Sequence, residues 1–305
     1  MQTLKTKTLE WHNIFRPSAA DLKWLKKDFD FHGLVFEEIA RSSARPKVEN
    51  FDGYLYLVLH FPIFDERERK THPREIDFIL TKKELISVSY DPIPPLDEFF
   101  RTCLGDRSAQ ELYAAKTPAH LLYFVVKHLY AFALRELDHI HENIDRIDER
   151  VFANEHEEEA LIEDLSFVRR DIIDFRRTLK PQQVVLEALA VRGEALFGSS
   201  LRPFFHELIG EYQKVWNLLE NHKEATDALY DNNVTVLNIK QNEAMRILSI
   251  MAFVTFPLVL FAQIFSMATV ATPLIGYRYD FWIIVGIMIL AATGMFLFFK
   301  KKRWL

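Results

Sequence analysis

The sequence predicts an α+β protein anchored in a membrane, with a small α/β domain, then very long helices, then a C-terminal hairpin of two spanning helices. Three observations carry this reading. Two uncharged apolar runs, 247–277 and 281–299, close the chain and are separated only by Arg278, Tyr279 and Asp280. From Thr117 onward the patterning is that of long helices, whereas the first hundred residues alternate short strand and helix signals. The expected domains are therefore 1–116, 117–246 and 247–305.

In the front domain, Ser18 followed by Asp21, Leu22, Trp24 and Leu25 reads as a capped helix. A β-rich run covers 46–63, in which Tyr54, Tyr56, Val58 and His60 alternate with Leu55, Leu57, Leu59 and Phe61. Ile76–Leu80 and Leu85–Tyr90 read as two more strands around Thr81-Lys82-Lys83. Long helices are expected over 117–153, over about 157–197, and from near Ser200, where neither Pro nor Gly interrupts the chain between Glu211 and Phe256. The last of these runs straight into the membrane, and at roughly 60 residues or more it reaches roughly 90 Å. A rod of that length needs neighbours along it, which suggests an oligomer.

The second apolar run is about 28 Å long as a helix, against a hydrocarbon core of about 30 Å, and the first has length to spare. A short connector puts the front part and the tail Lys300-Lys301-Lys302-Arg303-Trp304-Leu305 on one side. The basic tail assigns that side, with both termini, to the cytoplasm. Met1 to Phe15 carries no apolar core of signal-peptide length, so the front part is expected to stay in the cytosol.

Composition narrows the function. The formal charge of −5, with no basic stripe in the front part, excludes a nucleic-acid partner. The single cysteine, Cys103, fits a reducing compartment and reads as an ordinary partly buried thiol. No glycine-rich phosphate loop, nucleophile elbow or metalloprotease helix occurs, so no enzyme and no bound cofactor are expected. His139 and His141 lie on different helix faces, and His72, His120, His128 and His156 show no ligand spacing. The acidic cluster Glu155, Glu157, Glu158, Glu159, Glu163 and Asp164 reads from composition as a solvated helix turn.

Stepping alternately by four and three from Asp231 gives Thr235, Asn238, Asn242, Met245, Ser249, Ala252, Phe256, Val259, Gln263 and Ser266. This 3.5-residue period keeps one seam of a supercoiled helix on a common axis. In a closed dimer or trimer the Asp, Thr and Asn groups would be costly unless paired, whereas around a wider axis they could face water. Met245, Leu248, Ala252 and Phe256 would then form a hydrophobic constriction. The competing reading is a lipid-facing or helix-packing stripe.

Several features are similar to one family. They are the large front domain with two C-terminal spans and a Lys-Lys-Arg-Trp-Leu end, Asn242-Glu243-Ala244-Met245-Arg246-Ile247-Leu248 at the start of the first span, and Pro257-Leu258 within it. Val168-Arg169-Arg170 through Phe175-Arg176-Arg177, Pro181 and Val185-Leu186 extend the likeness upstream. The chain resembles the CorA family of divalent metal-ion (Mg2+/Co2+) transporters. The resemblance implies a homopentameric funnel in the inner membrane, lined by the first spanning helix. It puts Asp231 at the inner mouth, Asn242 inside the pore, both meeting the ion through its hydration shell, and Met245 and Leu248 in a hydrophobic gate.

One departure stands out. The family's Gly-Met-Asn falls on Ser266-Met267-Ala268, so only the methionine survives, and Thr272-Pro273-Leu274-Ile275 replaces a following acidic pattern. Ala268 offers no oxygen to a hydrated cation, leaving Ser266, Thr269 and Thr272 hydroxyls, Gln263 or backbone carbonyls to do so. Asp280 is the one acid left in the connector. With Ser in place of Gly at 266, the first span is expected to continue past 268 and stop before Pro273. Two functions follow. One is passive passage of a divalent cation, Mg2+ foremost, with Co2+, Ni2+ or Zn2+ as alternatives. The other is a non-conducting CorA-like scaffold or metal sensor.

Overall fold

A computed structural model of the chain describes residues 1–305 except 44, 66, 69, 153–157, 268–273, 277 and 303–305. The chain falls into two compact units, Met1–Leu229 and Tyr230–Leu305.

The first unit begins with β1 (Gln2–Lys5), β2 (Glu10–Phe15), α1 (Ala19–Asp28), α2 (Gly33–Ile39), β3 (Lys47–Phe51), β4 (Tyr54–Asp65), β5 (Lys70–Thr81) and β6 (Glu84–Ser89). It continues with α3 (Pro94–Gly105), α4 (Arg107–Tyr113), α5 (Pro118–Phe152), α6 (Glu158–Leu179), α7 (Gln182–Phe197) and the start of α8 (Arg202–Ser266). The six strands pair in the order β1-β2-β6-β5-β4-β3, with β2 and β6 parallel and the remaining pairs antiparallel.

The sheet is covered on both faces, as the alternation in β4 requires. Tyr54, Tyr56 and Val58 join Ile79, Ile86 and Val88 beneath Leu25 of α1 and Val35 and Ile39 of α2. Leu55, Leu57, Leu59 and Phe61 point the other way, into a larger core with Phe100 of α3, Val126 and Tyr130 of α5, Phe175 of α6, Leu189 of α7 and Phe205 of α8. A buried amide ties that layer together. The Tyr130 hydroxyl donates to Gln182 Oε1 at 2.6 Å, and Gln182 Nε2 donates to the His60 carbonyl of β4.

Several expectations need correction. The run 46–63 is two strands, because Gly53 takes φ +84° and closes a tight turn that reverses the chain. β5 is longer than 76–80, since it pairs with β4 along the full stretch from Tyr54↔Thr81 to Asp65↔Lys70. The expected helix over 157–197 is broken, because Pro181 lacks the N–H that would continue the ladder and disfavours helical backbone at Lys180. The Ser18 cap is present. Asp21 N–H donates to Ser18 Oγ at 3.2 Å and Ser18 N–H to Asp21 Oδ2 at 2.9 Å.

Asp77 of β5 is fully buried and accepts hydrogen bonds from the Tyr56 hydroxyl at 3.0 Å and the Tyr90 hydroxyl at 2.7 Å. Burial first, then the adjacent Glu75 charge, raise its carboxyl well above the usual range. The folded chain thus holds a proton that an unfolded Asp loses near about pH 3.9. This group's contribution to stability falls as pH rises above that point. Asp77→Asn is expected to flatten the decline in thermal stability as pH rises above about 4 while keeping an acceptor for both hydroxyls. Asp77→Leu is expected to cost about 1–3 kcal/mol by stranding the Tyr56 hydroxyl. Melting curves of the purified protein across that pH range check both.

Candidate functional site

In the second unit, α8 continues to Ser266, and α9 (Asp280–Lys301) follows residues 267–279. Both helices are long and apolar enough to cross a bilayer. Among the described residues of this unit, most of their large apolar side chains are not used to build a core. Phe253, Phe256, Leu260, Phe281, Trp282 and Leu290 are all exposed, Leu290 to 77%. An apolar surface of that extent requires hydrocarbon or protein around it.

The seam runs along the same stretch of α8. Asp231, Thr235, Asn238, Asn242, Met245, Ser249, Phe256, Val259, Gln263 and Ser266 are exposed, as is Leu248, and only Ala252 is half-buried. The buried α8 residues of this unit, Asn233 and Ile250, lie off that line. Two of the seam's hydroxyls are already used within the helix. Thr235 Oγ1 donates to the Asp231 carbonyl at 2.9 Å, and Ser249 Oγ to the Met245 carbonyl at 2.8 Å. Those hydroxyls keep acceptor lone pairs, so the oxygens with ion-binding capacity on this face are the Asp231 carboxylate, the Asn238, Asn242 and Gln263 amides and, secondarily, the Thr235, Ser249 and Ser266 hydroxyls. Below Asn242, Met245 and Leu248 stand 58% and 59% exposed, and Phe256 72%. A straight helix drifts about 20° per heptad from a 3.5-residue repeat, so the line reaches a common axis only through supercoiling or tilt.

The far end of α8 differs from the expected one. The helix stops at Ser266 instead of continuing past 268, and Met267 turns its N–H back to the Ile264 carbonyl at 3.4 Å. That three-residue closure tightens the last turn in the way helix ends commonly do, so no left-handed glycine is needed at 266. Ser266 and Met267 are exposed, whereas Ala268, Thr269, Thr272 and Pro273 lie outside the described residues. Asp280 is drawn into local structure, accepting from Gly276 N–H at 3.3 Å and Phe281 N–H at 2.7 Å. Pro257, inside α8, has no N–H to give the Phe253 carbonyl, which releases a backbone oxygen within the span.

The other candidates resolve as follows. Of the acidic cluster, Glu155 and Glu157 lie outside the described residues, Glu158 and Glu159 open α6, and Asp164 accepts from Arg150 Nη1 at 2.7 Å. Cys103 is buried and its thiol is pushed up by burial to about 11, which keeps it protonated and unreactive. His72 bonds Glu68, His120 meets Thr117, and His139 and His141 face Glu142 and Asp145 respectively. Sequence reasoning missed two features of the first unit. One is a cavity of about 620 Å3 beside Ser43, His60, Glu75, Tyr90, Asp174 and Arg177, and the other is a contact between His141 and His222 across α5 and α8. Neither has a local signal, because each joins elements remote in the chain.

Comparison with known proteins agrees with this architecture. The chain is 26% identical over 98% of its length to the cobalt/magnesium transport protein CorA of Thermotoga maritima, covering 84% of that protein. It is 22% identical over 96% of its length to the metal ion transporter YfjQ of Bacillus subtilis, a name given there as provisional, covering 89% of it. The complete structure of the CorA magnesium transporter from Methanocaldococcus jannaschii superposes with a TM-score of 0.84 at 16% identity, covering all of this chain and 95% of that one. The family model described as CorA-like Mg2+ transporter protein matches residues 6–301, so the chain belongs to the CorA-like Mg2+ transporter family.

Proposed function

We propose that this protein is a homopentameric channel in the inner membrane that passes a divalent cation, Mg2+ foremost, down its electrochemical gradient, with the front domain and the basic tail in the cytoplasm. The observation that carries this reading is the exposed seam of α8, in which an acid and two amides precede a run of apolar side chains. The relatives named for cobalt and magnesium transport support the choice of ion.

The chemistry follows from the residues. Mg2+ gives up its water reluctantly, so a pathway for it must accept a hydrated ion. A ring of Asp231 carboxylates raises the local cation concentration, and Asn238 and Asn242 amide oxygens bond the ion's water shell without stripping it. Thr235 and Ser249, whose hydroxyl protons bond the helix backbone, still offer lone pairs. Met245, Leu248, Ala252, Phe256 and Val259 supply no polar partner, so drawing them together around an axis expels water and closes the path. Gln263 and Ser266 restore polarity at the far end. No nucleotide is required, since a membrane potential contributes about 2.3 kcal/mol per charge per 100 mV, and twice that for a divalent ion.

The second reading is a non-conducting scaffold or metal sensor of the same family. It is favoured by Ser266-Met267-Ala268, which removes the amide that the family's Gly-Met-Asn would place at the outer mouth. Retention of Asp231, Asn238, Asn242 and Gln263 on one line favours conduction, because a helix free of that duty has no reason to keep amides beside a membrane span.

Purified protein in liposomes is expected to take up Mg2+ under an inward-negative potential, and Asn242→Leu to lower the rate by about tenfold or more, the worth of a hydrogen bond to a charged group. Absence of flux for Mg2+, Co2+, Ni2+ and Zn2+ alike would leave the scaffold reading. Met245→Asp is expected to raise flux under conditions that close the parent, and unchanged flux removes Met245 from the constriction.

A further inference from the structure

His141 of α5 and His222 of α8 stack within the first unit, ring centroids 5.2 Å apart and planes 12° from parallel. His222 is only 5% exposed. Among the described residues its Nε2 is buried without a hydrogen-bond partner, which leaves that nitrogen available to an ion, and the Leu137 carbonyl lies beside the ring. A backbone carbonyl beside an imidazole is a common outer partner of metal-binding histidines, where it orients the ring. Burial, followed by the neighbouring His141, keeps the His222 ring in its neutral, ligand-ready form, while Asp138 and Asp145 supply negative potential around the pair. His141 is largely exposed, and its Nε2 stands 3.6 Å from Asp145 Oδ2 one turn further along α5.

We propose that His141 and His222 form an intrachain site for a borderline divalent transition ion, Ni2+ or Co2+, which binds through two imidazole nitrogens and fills its remaining positions with water and the Asp145 carboxylate. Among the described residues no three His, Cys, Asp or Glu side chains are already gathered around one point, so this is a two-nitrogen site that the ion completes by turning His141. Mg2+ is excluded by chemistry. It prefers oxygen in octahedral array, whereas imidazole suits the later first-row metals, with Ni2+ bound more tightly than Co2+. The site is distinct in donor type from the oxygen-lined seam, and its occupancy does not depend on whether that seam conducts.

Calorimetric titration of the intact detergent-solubilised protein with NiCl2 and with CoCl2 tests this, using the parent, His222→Gln, His141→Gln and His139→Gln. One Ni2+ per chain is expected, indifferent to excess Mg2+ and to Asn242→Leu. Its affinity should fall by at least about tenfold in His222→Gln and His141→Gln. It should be unchanged in His139→Gln, whose ring lies on another face of α5. Circular dichroism checks the fold of each variant, and the exposed position 141 decides the matter if the buried one does not tolerate substitution. Equal Ni2+ affinity in parent and His141→Gln, or displacement of Ni2+ by Mg2+ at similar concentration, would overturn the proposal. Loss of transport with Ni2+ binding intact would count against the channel alone.

Discussion

A helix that carries a carboxylate, two amides, and then methionine, leucine and phenylalanine along one line has no single solvent in which that line is satisfied. Asp231, Asn238 and Asn242 need water or polar partners, Met245 through Val259 lose by contact with water, and Gln263 lies within an apolar run where an unpaired amide costs several kcal/mol. One copy of α8 leaves every residue of this line exposed except the half-buried Ala252. In the proposed pentamer, repetition of the helix about an axis would resolve the conflict, with the same line facing a chamber that is wet where the side chains are polar and dry where they are not. The proposed conduction and gating are consequences of that arrangement and need no added machinery.

The first unit answers a different demand. Its sheet is buried on both faces, so polar groups on its central strands must find partners inside. Trp11 Nε1–H donates to Ser87 Oγ at 2.9 Å, the Ser87 hydroxyl donates to Asn13 Oδ1 at 2.9 Å, and the Thr71 N–H donates to Asp171 Oδ1 of α6 at 3.0 Å. Asp77 is accommodated by keeping its proton, and Gln182 by joining α5, α7 and β4 through both ends of its amide. Of these bonds, Thr71–Asp171 and those of the Gln182 amide join α5, α6 and α7 to the sheet.

What was legible in the sequence was local. The Ser18 cap, the alternation in β4, the Thr81-Lys82-Lys83 turn, the continuous α8 and the two spans each follow from residues within one or two turns of one another. The errors have equally specific causes. β1 and β2 were not read as strands because β2 is buried by pairing with β1 on one side and β6 on the other, a relation invisible in Glu10–Phe15 alone. The break at Pro181 was hidden by apolar periodicity that resumes on its far side. The end of α8 at Ser266 was misjudged because glycine was taken as the means of stopping a helix, while a three-residue closure at Met267 serves as well. Of the site, the seam could be traced by spacing, but the stacked histidines could not, since no spacing relates residues on separate helices.

The account rests on seam residues from neighbouring copies facing each other across water. Cysteine substitution in a Cys103→Ala background tests this most directly, with membranes treated with a hydrophilic thiol reagent and, separately, with a mild oxidant. Asn242→Cys should react with the reagent and form disulfides between copies, while Ile250→Cys, buried off the line, should do neither. Silence at position 242 together with cross-linking at 250 would place the wet face elsewhere and contradict the account.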